Sequence, residues 1–169
     1  MSEQARQNPF SRPLNIGHML RHAPPSLDHV LPGLLAATVG LLVGPGAVSK
    51  TMLALQVGIA MATGTTLLGG LVGGAATGPL LPQRVVLVLA EESAHVVWHR
   101  LHTIASVQLA AAGIDPDTAA ALLEQNLVIH ALAGGDQLNL LGECFEKTPH
   151  GELLRTACTG ARLVILDPV

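Results

Sequence analysis

Three places in the chain carry groups suited to phosphate chemistry. Lys50-Thr51 follows a glycine-rich turn, Glu91 ends one apolar run, and Asp167 ends another. The stretch Gly44-Pro45-Gly46-Ala47-Val48-Ser49-Lys50-Thr51-Met52 has the make-up of a phosphate-binding loop. In such a loop the backbone N–H groups of the turn and of the following helix N-terminus converge on an anion. The lysine reaches the outer phosphates, and the hydroxyl after it ligates Mg²⁺. The pattern G-x-x-x-x-G-K-[ST] is met except at Ser49, where it has glycine. Glycine there lets the backbone approach a phosphate with no Cβ in the way. A serine either adds a hydroxyl donor or weakens the grip. Read more blandly, the same residues are a Gly-Pro turn between two buried elements.

Glu91 could orient and deprotonate a water that attacks a γ-phosphate. Alternatively, Glu91 and Glu92 supply negative charge at the start of the next helix. Asp167 is placed to hold the water shell of a Mg²⁺ ion, although any buried strand can end in Asp. His95, His99 and His102 form an i, i+4, i+7 row that could bind Zn²⁺; as the polar side of an amphipathic helix it reads first as a solvated face.

These groups need strands and helices to carry them to one place. Thr38-Val39-Gly40-Leu41-Leu42-Val43 reads as the strand before the loop, and residues 52–62 as the helix after it, with Leu53, Val57, Ala60 and Met61 on one face. Arg84-Val85-Val86-Leu87-Val88-Leu89-Ala90 is a continuous β-branched run, as in a parallel sheet buried on both sides. Residues 93–112 read as a helix with Val97, Leu101, Ile104 and Ala105 inward. A helix from Pro116 to Glu124, a strand over 126–132, a helix over 148–159 and a strand over 162–167 complete a βαβ alternation. Ligands of open α/β sheets sit beyond the carboxyl ends of the strands, which is where Lys50, Glu91 and Asp167 fall. Residues 14–22 predict a short helix stopped by Pro24-Pro25, residues 26–33 a lead-in to the first strand, and 134–139 a polar loop. The uncharged stretch 64–82 holds six glycines up to Gly78; it reads as a floppy insert, or else as a flap over a nucleotide or against a neighbouring subunit.

At 169 residues the chain fits one domain with a full core, built from aliphatic residues because aromatics are only 2%. Charged residues are 12%, about half of what is usual, which points to a surface that something else covers. Net charge is −3 with no Lys/Arg cluster, so the composition offers no footprint for nucleic acid. Cys144 and Cys158 form no CxxC pair and point to a reduced, cytoplasmic protein. Lys50 is the single charge between Val30 and Pro82. An apolar hairpin around it, associated with a membrane, is therefore the rival to be weighed. Pro32, Pro45, Gln56 and the glycines interrupt both candidate spans, and no basic flanks orient them.

Leu27-Asp28-His29-Val30-Leu31-Pro32, Thr38-Val39-Gly40, Lys50-Thr51-Met52-Leu53-Ala54-Leu55-Gln56, Ala90-Glu91-Glu92, His99-Arg100-Leu101-His102 and Leu166-Asp167 together resemble one family. It is the RepA-type hexameric replicative helicases of broad-host-range plasmids, RecA-like P-loop ATPases also grouped with the AAA ATPases. The resemblance runs from about Pro13 to the C-terminus. It implies an α/β, RecA-like three-layer core with a mainly parallel sheet over 26–169, and the residues before it, 1–25, polar at their start with Pro9 and Pro13, read as a flexible arm. ATP and Mg²⁺ are the implied cofactors. Gly44, Pro45, Gly46, Ala47, Val48, Ser49, Lys50, Thr51 and Met52 would cradle the nucleotide, Thr51 and Asp167 would hold the metal, and Glu91, with Lys50, would be catalytic. A homohexamer and duplex DNA are the implied partners. Family members continue beyond the second motif, with a strand that lies between the loop strand and the Asp-bearing strand, an arginine finger and DNA-contacting loops. The expectation is thus a C-terminally truncated core that binds ATP and does not turn it over alone. In its place, the two strands flanking that position would either pair directly or leave a gap. The competing expectation is a remnant that binds nothing and associates through its apolar surface.

Overall fold

The computed structural model of the chain describes residues 13–46, 48–74, 80–134, 140 and 148–167. Ala47, Cys144, residues 1–12 of the expected arm, most of the loop expected at 134–139 and residues 75–79 of the glycine-rich stretch 64–82 lie outside them. In chain order the elements are α1 (Ile16–Arg21), β1 (His29–Leu31), β2 (Leu34–Leu35), α2 (Lys50–Thr63), β3 (Val85–Leu89), α3 (Ala94–Ala111), α4 (Pro116–Asn126), β4 (Leu127–Ala131), α5 (Pro149–Ala157) and β5 (Leu163–Asp167).

The main sheet has the order β4-β3-β5, all parallel. Its middle strand, Val85-Val86-Leu87-Val88-Leu89, is buried at every position, as a β-branched run between two neighbours and two covered faces must be. Strand alternation assigns the faces. A Cβ added to Gly58 of α2 would meet Leu87 and Leu127 side chains at 3.2 Å, so α2 lies over the Leu87 side. Val88 and its register partner His130 line a cavity of about 210 Å³ with Leu153, Leu154 and Ala157 of α5. Alpha-helical layers therefore cover both sides, and the architecture is a three-layer α/β sandwich.

α2 is the centre of the core. Residues 54, 55 and 57–63 are all buried, because the helix is enclosed by β3, β4, α3 and α4 together. The expectation of one apolar face is corrected: Leu53 is half-buried, and helix sides expected to be polar are covered as well. Gln108 and Asn126 side-chain amides donate to the Gln56 and Ala62 carbonyls, each at 3.1 Å. α4 starts at an Asp115 cap that accepts from the N–H groups of Thr118 and Asp117, with Pro116 in its first turn where the missing N–H does no harm. Hydrogen bonds from Thr118 and Asp117 hold the Asp115 carboxyl below its ordinary value.

Residues 38–43 correct the sequence reading most clearly. They form no strand, and Val39, Leu41, Leu42 and Val43 are 98%, 89%, 60% and 78% exposed. Of the two outcomes expected beside β5, the gap is the one found. A strand is stable only when its N–H and C=O groups meet a ladder partner, and among the described residues β5 makes its ladder with β3 alone. The lead-in segment is instead an antiparallel hairpin, β1–β2, closed at Pro32-Gly33 with Gly33 at φ 79°. The described part of the glycine-rich stretch packs onto the core: Val72 is 1% exposed, and Leu67 and Val72 form a bridge around a 3₁₀ turn at Leu68–Gly70. Among the described residues no helix is long and apolar enough to cross a membrane. The helix that follows Lys50, half of the imagined hairpin, is the buried core helix.

Candidate functional site

Lys50 is the first residue of α2, and the loop before it wraps around its side chain. The ammonium donates to the carbonyls of Gly44 at 3.1 Å and Pro45 at 3.0 Å. A lysine has three N–H donors, so one is left for an outside acceptor. The first helical bond of α2 is Leu53 N–H to the Ser49 carbonyl, at 3.0 Å. The N–H groups of Lys50, Thr51 and Met52 thus have no acceptor among the described residues, and Ser49 makes no side-chain cap. Free N–H groups, a helix dipole and one ammonium give this end of α2 a strongly electropositive character.

Ser49 sits in the left-handed region, φ 63° and ψ 30°. That gives the family's glycine at this position a second reason besides close approach: the loop needs a backbone conformation that L side chains adopt poorly. Gly44, Lys50, Thr51 and Met52 are half-buried, whereas Pro45, Gly46, Val48 and Ser49 are exposed around the rim. Met52 packs its side chain against the core, so it contributes through its N–H and not through its thioether.

The Thr51 hydroxyl donates to Asp167 Oδ2 at 2.5 Å, across 116 positions of sequence. A hydroxyl and a carboxylate are both hard oxygen donors of the kind Mg²⁺ takes, and they already face each other. The two residues expected to hold a metal therefore fit one, with the Lys50 ammonium a residue away. Glu91 leaves the sheet at the same rim. It stands two residues after Leu89, the register partner of Asp167, and the intervening Ala90 N–H donates to the Asp167 carbonyl at 3.2 Å. Glu91 is exposed and has no side-chain partner among the described residues. Glu92 is different: its carboxylate is paired with Arg100 and its carbonyl accepts from Ala133 N–H. The N-cap of α3 is Ser93, whose hydroxyl accepts from Val96 N–H.

His95, His99 and His102 are all exposed on α3, with the first two rings edge-to-face at 4.8 Å. Among the described residues no three His, Cys, Asp or Glu side chains are placed to hold a metal together. Sequence reasoning gave no role to Arg162 or Asp28. The Arg162 guanidinium donates to both carboxylate oxygens of Asp28, 2.8 Å for the Nη1–Oδ2 bond, and to the His29 carbonyl at 3.2 Å. This hydrogen-bonded pair lowers the Asp28 carboxyl and raises the guanidinium, and it fastens β1 to the start of β5. The partners are 134 positions apart, so no local spacing announces them.

A parallel α/β sheet, a glycine-rich turn opening a helix with Lys-Thr, and an aspartate reaching that threonine from a strand end converge on nucleotide chemistry. The family model that matches, described as an AAA domain, covers residues 6–169. The chain belongs to the AAA-domain family of P-loop nucleotide-binding proteins.

Proposed function

We propose that this chain is the ATP–Mg²⁺-binding part of a RepA-like helicase core. In this reading residues 44–52 take the phosphates, with Lys50 on the outer ones and Thr51 and Asp167 holding Mg²⁺. Glu91 orients the attacking water as general base. The observation that carries it is the 2.5 Å contact between Thr51 and Asp167, which joins the end of the phosphate loop to an acidic strand end across 116 positions of sequence. Bound Mg²⁺ would neutralise charge on the transferred phosphoryl group. The chain's own residues supply the rest: N–H groups at the start of α2 and a Glu91 carboxylate at the same rim, each without a partner among the described residues, and the third Lys50 donor. Assembly into a ring, engagement of DNA and a cytoplasmic setting are supported by the sequence resemblance.

Calorimetric titration with ATP and Mg²⁺ tests the site, with Lys50→Ala as comparison. Heat from the wild type alone is expected; equal heats from both proteins would refute it. Turnover by this chain alone is expected at background. Phosphoryl-transfer enzymes of this kind rely on an arginine to stabilise the transition state; among the described residues Arg84, Arg100, Arg155 and Arg162 are bonded elsewhere, and Arg21 lies exposed on α1, which carries none of the site residues. Lys50-dependent hydrolysis would overturn that part. A second reading, a remnant that binds nothing and self-associates, is favoured by the exposed Val39, Leu41, Leu42 and Val43. Its signature is concentration-dependent association with no heat from either protein.

A further inference from the structure

The face of the sheet turned away from α2 has a cavity with its own chemistry. Val88 and His130, register partners on β3 and β4, form one wall of this space of about 210 Å³, and Leu132 and α5 form the others. Two of its lining residues are polar: His130, next to the end of β4, and His150, in the first turn of α5. The rest of the lining is aliphatic.

Both histidines carry an unanswered nitrogen. His130 Nε2 and His150 Nδ1 are buried with no hydrogen-bond partner among the described residues. Of the five buried side-chain atoms there in that condition, these two belong to the walls of one cavity. Buried polar atoms are otherwise nearly always paired. A neutral imidazole nitrogen donates in one tautomer and accepts in the other, so each can serve a hydroxyl.

Three kinds of occupant compete. Water has room, but a buried water needs about two to four polar partners, and aliphatic walls supply few. A divalent cation suits imidazole. However, among the described residues no third His, Cys, Asp or Glu completes a set, and two neutral ligands leave its charge uncompensated beside apolar walls. A small uncharged organic molecule meets both demands. An apolar cavity of about 150 Å³ takes up benzene, so 210 Å³ takes a ring with a substituent. Apolar walls with a few placed polar groups are the usual make-up of such sites.

We propose that the cavity between β3, β4 and α5 binds a small, uncharged hydroxylated ring compound, in the simplest case a phenol, through hydrogen bonds to His130 and His150. The site lies across the sheet from α2 and does not depend on whether nucleotide binds.

Titration of the full chain with phenol at about pH 8, where an ordinary imidazole is neutral, tests this. The histidine ring ¹⁵N resonances report binding, and toluene and Zn²⁺ are the comparison probes. Phenol is expected to shift the His130 and His150 signals saturably and to leave the exposed histidines of α3 unmoved. It should bind about tenfold or more tighter than toluene, which fills the same space and leaves both nitrogens unpaired. His150→Phe keeps a ring and removes the nitrogens, so it should weaken phenol by about two- to tenfold and spare toluene. No saturable shift with phenol overturns the proposal. Toluene binding as tightly as phenol also overturns it, and this comparison decides even if the variant fails to fold. Zn²⁺ moving the same two signals where phenol does not would mark a metal site and overturn it too.

Discussion

Replacing Ser49 by glycine isolates the backbone requirement of the loop from its chemistry. Ser49 holds φ 63° and ψ 30°, where an L side chain costs roughly 1–2 kcal/mol. Glycine removes that strain but loosens the unfolded chain by about 0.4–1 kcal/mol. The serine side chain makes no cap bond, so nothing else is lost. Ser49→Gly is therefore expected to stabilise by about 0–1.6 kcal/mol, with a central value of about 0.8, a rise of roughly 2–3 °C in melting temperature at that central value for a chain of this size. The assay is thermal unfolding by circular dichroism without nucleotide, with Ser49→Ala alongside. Alanine keeps the strain and should stay within about 0.5 kcal/mol of wild type. If glycine destabilises, or alanine gains as much as glycine, the conformational argument is refuted. Affinity gives a separate readout: Ser49→Gly tightens ATP binding if the Cβ obstructs a phosphate, and an unchanged affinity removes that role.

Three further outcomes are expected. Free ATP–Mg²⁺ at about 100 times its dissociation constant should raise the stability of the wild type by roughly 2.7 kcal/mol and that of Asp167→Ala far less; equal thermal shifts would dissociate Asp167 from the metal. Gly58→Val forces methyls into space where even one Cβ meets Leu87 and Leu127 at 3.2 Å, and should destabilise by about 1–3 kcal/mol in urea unfolding. Arg162 holds the Asp28 carboxyl below its ordinary 3.8. A folded value below the unfolded one means that the stabilisation is complete at higher pH and is lost as pH falls through the folded value. Wild type should therefore exceed Asp28→Asn in stability at neutral pH, with the gap closing below about pH 4; a gap that persists in acid would remove the ion pair as its cause.

What was legible in the residues follows physical range. Strands β3, β4 and β5, helices α2 to α5 and the Asp167 strand end were readable because continuous β-branched runs, Pro near helix starts and cap residues are local signals. Residues 38–43 carry the same local signal and fail as a strand, since pairing depends on a partner edge far away in sequence. The β1–β2 hairpin was readable and missed: Leu31-Pro32-Gly33-Leu34 has Pro and Gly in the order that a type II turn requires. The wrapping of α2 could not be seen in its periodicity, because a helix covered on every side shows no contrast between faces. Arg162–Asp28 and Arg100–Glu92 are matters of tertiary placement. The second of these separates the roles of two adjacent glutamates that look equivalent on paper.

Because α2 is packed against strands and two other helices, with outside amides gripping its carbonyls at Gln56 and Ala62, it behaves as a fixed post. A ligand arriving at Lys50 cannot push the post along its axis without disturbing the whole interior. Accommodation falls instead to the turn that precedes the post, where exposed Pro45, Gly46 and Val48 have room to shift. A tug on that turn travels outward, into residues 38–43, while the interior stays still.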